Sequence, residues 1–196
     1  MLFFILAVMS DLKLFMVLIG ATPAGRHTEQ HDVFFGIAES LPGLVGDIKT
    51  FWTEAADVMH IDAWREVTVV DGYQVNITPK TAELTKGPRL FFINLGGYQA
   101  NKFEEQHYYV LTAKENRSLA FREAKETLFY QQNHIPRGTS HIDDKYGIDV
   151  DDMYEIADIL SPRQKEKYAI ELVPATDLRN DELHLGYLKM SLLEEN

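Results

Sequence analysis

The chain says the same thing twice. Shifted by 76 residues, Leu14–Gly20 (LFMVLIG) falls on Leu90–Gly96 (LFFINLG), and Glu29, Gln30 and His31 fall on Glu105, Gln106 and His107 without a gap. A period of this length defines one supersecondary unit per copy, so the fold has to be assembled from two like parts. The same shift sets Ser40 on Asn116, both residues whose side-chain oxygen can cap the start of a helix. Apolar residues then recur in helical phase, as Leu44, Val45, Ile48, Phe51 and Trp52 in the first copy and as Ala120, Phe121, Ala124 and Leu128 in the second.

Farther along, a shift of 81 aligns His60-Ile61-Asp62 with His141-Ile142-Asp143, Asp71 with Asp152 and Tyr73 with Tyr154. The added residues fit a longer loop between helix and strand, which costs little. Each copy therefore reads strand, strand, helix and a strand pair, with Asp71-Gly72 as a hairpin turn. The two repeats are expected at 9–80 and 88–160, joined by the segment 79–88. A partial third copy at 167–190 is expected to form a C-terminal β-hairpin: there Arg179, Glu182 and His184 fall on Lys102, Glu105 and His107, which fall on Arg26, Glu29 and His31. The fold class is thus α+β, with two tandem strand-strand-helix-strand-strand repeats of mainly antiparallel sheet, helices on one face, and one compact unit overall. Leu14–Ile19 and Leu90–Leu95 are apolar on both faces, so a second layer has to cover them. Either the other repeat or a second chain does so, and the second case makes a homodimer.

Composition narrows the partners. A formal charge of −11 repels nucleic acid and anionic lipid surfaces. The apolar start of the chain is split by Ser10, Asp11 and Lys13 into runs too short to span a bilayer, and no basic segment precedes it as in a signal peptide. Met9 before Ser10-Asp11-Leu12-Lys13 reads as a natural start, with the first eight residues as an extension. Cysteine is absent, which removes disulfide and thiolate chemistry and suits a reducing cytoplasm.

The repeated polar residues are the candidate site. Strand alternation puts Glu29 with His31, Glu105 with His107 and Glu182 with His184 on one face each. One functional reading is a site for a small polar or anionic ligand: Arg26, Lys102 and Arg179 supply charge, glycines let backbone N–H groups approach, and imidazole donates or acts as a general acid. The structural reading is an ion pair and a histidine hydrogen bond that fasten each hairpin. His60 with Asp62, and His141 with Asp143, likewise share a face, and a carboxylate that orients an imidazole is how a general base or a metal ligand is held. No recognised metal spacing occurs, the acidic run 143–155 lacks the oxygen ligands and glycine of a calcium loop, and there is no P-loop or nucleophile elbow.

Taken together, KLFMVLIGATPAGRHTEQHDVFFGIAESL with HIDAWREVTVVDGYQV, and LFFINLGGYQANKFEEQHYYVL with HIDDKYGIDVDDMYEI, resemble the bacterial family called Domain of Unknown Function 1543, which occurs as one or two copies per protein. The resemblance implies a two-copy member and brings no activity, cofactor or catalytic residue with it. Two functions are then weighed. The first is a non-catalytic ligand-binding or protein-interaction module with its ligand between the copies. The second is a small hydrolase or metal-dependent enzyme using His31, His60, His107 and His141. Convergence separates them, because an enzyme needs several of these side chains around one cavity.

Overall fold

The computed structural model describes residues 11–80, 87–98, 103–126 and 148–194. The first repeat runs β1 (Lys13–Ala21), β2 (Gln30–Ala38), α1 (Val45–Phe51) and β3 (His60–Glu66), followed by the hairpin of β4 (Val69–Val70) and β5 (Tyr73–Pro79). The second runs β6 (Arg89–Tyr98), β7 (Glu105–Lys114), α2 (Arg117–Glu126) and β8 (Ile148–Glu155). Two helical turns, α3 (Ile156–Ile159) and α4 (Pro162–Lys167), lead to β9 (Tyr168–Pro174), β10 (His184–Lys189) and α5 (Ser191–Glu194).

Hydrogen-bond register carries the repeat into three dimensions. In the β1/β2 hairpin Lys13 faces Ala38 and Gly20 faces His31, and in the β6/β7 hairpin Arg89 faces Lys114 and Gly96 faces His107. The third strands join in the same way. Gly20 faces His60 across β1/β3, Gly96 faces Asp149 across β6/β8, and each ladder is broken by a bulge at the matching place, between Leu18 and Ile19 or between Asn94 and Leu95.

Side-chain alternation then builds the layers. Phe15, Val17 and Ile19 leave β1 on one face and bury themselves with Leu44 and Ile48, while Leu14 leaves on the other face and joins Val33, Phe35, Leu90 and Phe92. In the second repeat Phe91, Ile93 and Leu95 pack with Ala120 and Ala124 of α2. The order is helix, sheet, sheet, helix, with Phe35 and Phe92 meeting edge to face at 5.2 Å across the central seam. The second layer that the two-sided apolar strands require is therefore the other repeat together with β5 and β9, whose Val75, Ile77, Ile170 and Leu172 pack on the same core. The Asp71-Gly72 turn adds a clasp: both residues take positive φ (51° and 80°), and the Asp71 carboxylate accepts bonds from Thr112 Oγ1 at 2.7 Å and Ala113 N at 2.9 Å on β7.

Three expectations need correction. β9 and β10 do not form a hairpin: β9 pairs with β5 in the sheet β4-β5-β9, and β10 extends the sheet β10-β3-β1-β2. Residues 168–174 complete the strand that the first repeat left open, because β5 offers an unpaired edge along its whole length. Among the described residues the second repeat shows one strand, β8, where a strand pair was expected, and the start of that pair at His141-Ile142-Asp143 lies outside them. Tyr154 sits inside β8 opposite Phe92 and does not correspond to Tyr73 at the start of β5, and the chain turns helical directly after β8. Ser40 does not cap with its side chain, since Pro42 draws the chain into a 3-10 turn, whereas Asn116 Oδ1 accepts from Leu119 N at 3.1 Å as expected of a cap.

The edge of β2 is closed from within by Gln164, which is buried. Its amide accepts from Ile37 N at 3.1 Å, donates to Ile37 O at 3.2 Å and also donates to Asp47 Oδ2 at 2.8 Å. One side chain thus does for β2 what a neighbouring strand would do. Replacing it orphans a buried N–H, so Gln164→Ala is expected to cost about 1–3 kcal/mol in urea unfolding. Gln74→Ala, on the exposed face of β5, should stay within about 0.5 kcal/mol.

Candidate functional site

Four of the sequence candidates meet above Gly20. His31 Nε2 lies 3.3 Å from Asp62 Oδ2 and 3.6 Å from Glu29 Oε2, and His60 Nε2 lies 3.0 Å from Glu29 Oε1 and 3.1 Å from Asp62 Oδ1. His60 is buried and carries the Tyr187 ring on its face, with centroids 4.3 Å apart. Asp62 reaches this place because it is the extra residue of the β3 bulge, which turns its carboxylate back over the strand. The glycine beneath leaves these groups their room. A Cβ at Gly20 would stand 2.4 Å from Asp62 Oδ2 and 2.6 Å from His60 Nε2. Asp62 Oδ2 is shielded from solvent and has no hydrogen-bond partner among the described residues.

The second repeat holds a matching but simpler cluster. His107 Nδ1 lies 3.3 Å from Asp151 Oδ2 and 3.3 Å from Asn94 Oδ1. A Cβ at Gly96 would meet Asp151 Oδ2 at 2.2 Å and Glu105 Oε1 at 2.8 Å. The counterparts of His60 and Asp62 are therefore Asp149, by register, and Asp151, by its bulge. They are not His141 and Asp143, which lie outside the described residues together with Lys102. Sequence comparison missed Asp151 because a bulge leaves no mark in residue types, and the His-Ile-Asp match drew the alignment eight positions short, to Asp143 in place of Asp151.

The remaining candidates stand elsewhere. Arg26 is exposed in the turn after β1 and joins neither cluster. His184 stacks flat on Trp64, 3.8 Å between centroids, and with Arg179 and Glu182 borders a separate hollow beside Thr68 and Asp181. No third cluster forms there, since β10 has no hairpin partner of its own. Among the described residues, no three His, Asp or Glu side chains are arranged to hold a metal ion.

Between the repeats lies a cleft of about 960 Å³ bordered by residues of both. His31 and His107 line it from the two copies, along with Asp32, Asn94, Tyr109, Asp152 and Tyr154, over an apolar base that includes Leu18, Val33 and Phe92. The cleft is electronegative. Desolvation in its wall holds the Asp32 carboxyl above the ordinary range, a bond from Val33 N opposes this, and the charge of Asp152 adds to the rise. Burial and the charge of Asp32 push the Tyr109 phenol up. The charge of Asp152, its hydroxyl acceptor at 3.2 Å, is the main cause that raises Tyr154. Asp32 and Asp152 were not among the sequence candidates: Asp152 entered only as the alignment partner of Asp71, and Asp32 follows His31 on the opposite face of the strand.

The geometry defines an α+β protein of mainly antiparallel sheet with a polar cleft bordered by residues of two of its sheets. Residues 26–77 match the family model described as Domain of Unknown Function (DUF1543), so the family to which the motifs point is borne out over the first repeat. The chain is also similar to the crystal structure of protein Il1583 from Idiomarina loihiensis, at 18% identity with a TM-score of 0.58, covering 92% of this chain and 98% of that one. At that identity the likeness is one of fold. No curated protein matches the chain. No described helix is long and apolar enough to cross a membrane.

Two outcomes test this description. Gly20→Ala should fold, at a cost of at most about 1–3 kcal/mol, because flexible carboxylate and imidazole tips can yield to the new methyl. Its His31 and His60 ring resonances should move, whereas Gly46→Ala, with open space around the added carbon, should leave them in place. Asp32 gives the second outcome. Its carboxyl is raised in the folded state, so ionised Asp32 weakens the fold once pH exceeds its folded value, and the penalty vanishes below the ordinary value of 3.8. Asp32→Asn keeps an acceptor for Val33 N and should raise Tm by about 1–2 °C at pH 7, with no gain at pH 3.

Proposed function

We propose that this protein is a non-catalytic binding module, built by internal duplication, that holds a small polar ligand in the cleft between its repeats. The observation that carries the reading is the meeting of His31 and His107, equivalent residues of the two copies, on the walls of one cavity of ligand size. The cleft combines apolar base and polar rim, the usual make-up of a small-molecule site. Its acidic wall makes an anionic ligand, one of the options open from the sequence, the weaker fit.

An enzymatic reading draws on the convergence of Glu29, His31, His60 and Asp62. It gains less from the geometry. Both imidazoles turn Nε2 toward carboxylates, none of the four is a hydroxyl nucleophile, and the second repeat has an aspartate in register with His60. These features suit groups that shape and charge a wall.

Ligand-observed NMR with a set of small polar compounds, followed by mapping on the labelled chain, tests the proposal. Binders should shift His31 and His107 together, and His31→Ala and His107→Ala should each weaken them about tenfold or more. Binders that map to the hollow at Arg179 and His184, or that ignore both substitutions, would overturn it.

A further inference from the structure

We infer that the ligand of this cleft is an organic cation, a small alkylamine whose ammonium sits between Asp32 and Asp152. The inference rests on the cleft proposed above and adds its chemistry. The two carboxylates come from different repeats, Asp32 on β2 and Asp152 on β8, and both border the same cavity. Like charges that border one cavity repel: burial is the first cause of the raised Asp32 carboxyl, and the charge of Asp152 adds to the rise.

The Val33 N–H, which donates to Asp32 Oδ1 at 2.7 Å, relieves it only in part. No described Lys or Arg forms an ion pair with either group. Lys165 borders the cleft, but its ammonium donates to Asp158 O at 2.6 Å. Arg117 donates to Met153 O. Among the described residues the donors to Asp152 are neutral, Tyr154 at 3.2 Å and the Asn94 amide at 3.4 Å, both long for a carboxylate. Behind the walls stand further carboxylates, Asp62 and Asp151, each facing a cleft histidine.

Shape selects an organic cation over a bare ion. The cavity is far larger than a hydrated metal, and next to its carboxylates lie Phe92 and the Tyr109 ring, which is 5.6 Å from Phe92. Aromatic faces attract an ammonium, and Leu18 and Val33 give its alkyl stem an apolar bed. An anion meets repulsion here and an uncharged alcohol gains only the stem.

The test is isothermal titration of the intact chain at pH 7 and low salt with butylamine, 1,4-diaminobutane, butanol and butyrate, and separately with Mn²⁺ and Zn²⁺. An amine should bind at least tenfold more tightly than butanol, butyrate should not bind, and added salt should weaken the amine. Asp152→Asn and Asp32→Asn should each cut amine affinity at least tenfold, with circular dichroism unchanged, while Glu182→Gln, outside the cleft, should not alter it. Equal binding of amine and butanol, no amine binding, or indifference to both substitutions overturns the inference. Stoichiometric metal without amine binding overturns it in favour of an ion site. A neutral or anionic compound that shifts His31 and His107 where amines do not overturns the cation and leaves the cleft reading standing.

Discussion

Everything in this fold depends on two strands that have no wet face. β1 and β6 are apolar on both sides, and Phe15, Val17, Ile19, Phe91, Ile93 and Leu95 reach nearly complete burial. A helix can cover only one side of such a strand. The other side has to find a second sheet, and the second sheet in this chain is the twin of the first. The seam at Phe35 and Phe92 is the result, and each face it buries carries about 25 cal/mol for every Å² of apolar surface removed from water. Because the two sheets meet through equivalent faces, the equivalent ends of the strands also come to face one space. The cleft follows from the burial requirement; no separate device is needed to make it.

The cleft has two unequal walls. The first wall has two imidazoles over Gly20, with His60 sealed by Tyr187 from β10. The second has one described imidazole over Gly96, and Asp149 stands in register where the first has His60. β10 itself belongs only to the first sheet, so the asymmetry is built by the segment that follows both repeats. That segment also supplies Gln164 to the β2 edge and β9 to the β5 edge. It functions as the closing piece of the first repeat, which explains why its residues Glu182 and His184 echo the motif without forming a cluster.

The sequence displayed the parts governed by alternation and failed to display those governed by register. An offset of 76 holds for every pair in the β1/β2 and β6/β7 hairpins, since their loops keep the same length. It breaks at the third strand, where 148–155 replaces the expected 141–143 region and a bulge adds Asp151 to the face. Residue types carry no record of a bulge, so Glu29, His31, His60 and Asp62 were legible as candidates while Asp151 was not. Asp32 and Asp152 were invisible for a different reason. Their meaning lies in facing each other across the seam, and a one-dimensional pattern of alternation does not say which strands of different repeats will be opposed.

That opposition is also the best argument that the cleft is more than a gap left by packing. A protein selected for stability alone would have no reason to keep two carboxylates from different repeats on the walls of one cleft, where a neutral amide would serve Val33 N equally well. The Glu29, Asp62, Glu105 and Asp151 carboxylates have histidines or glycine backbones to accommodate them, and their convergence reads as local structure. Among the described residues Asp32 has the Val33 N–H and Asp152 the Tyr154 hydroxyl and the Asn94 amide, all neutral donors, and the two charges raise the Tyr109 and Tyr154 phenols. Local disagreement with the rules that stabilise the rest of a fold is where function is expected to sit. On that ground the proposed working surface of the molecule centres on the acidic pair more than on the repeated histidines that mark the sequence.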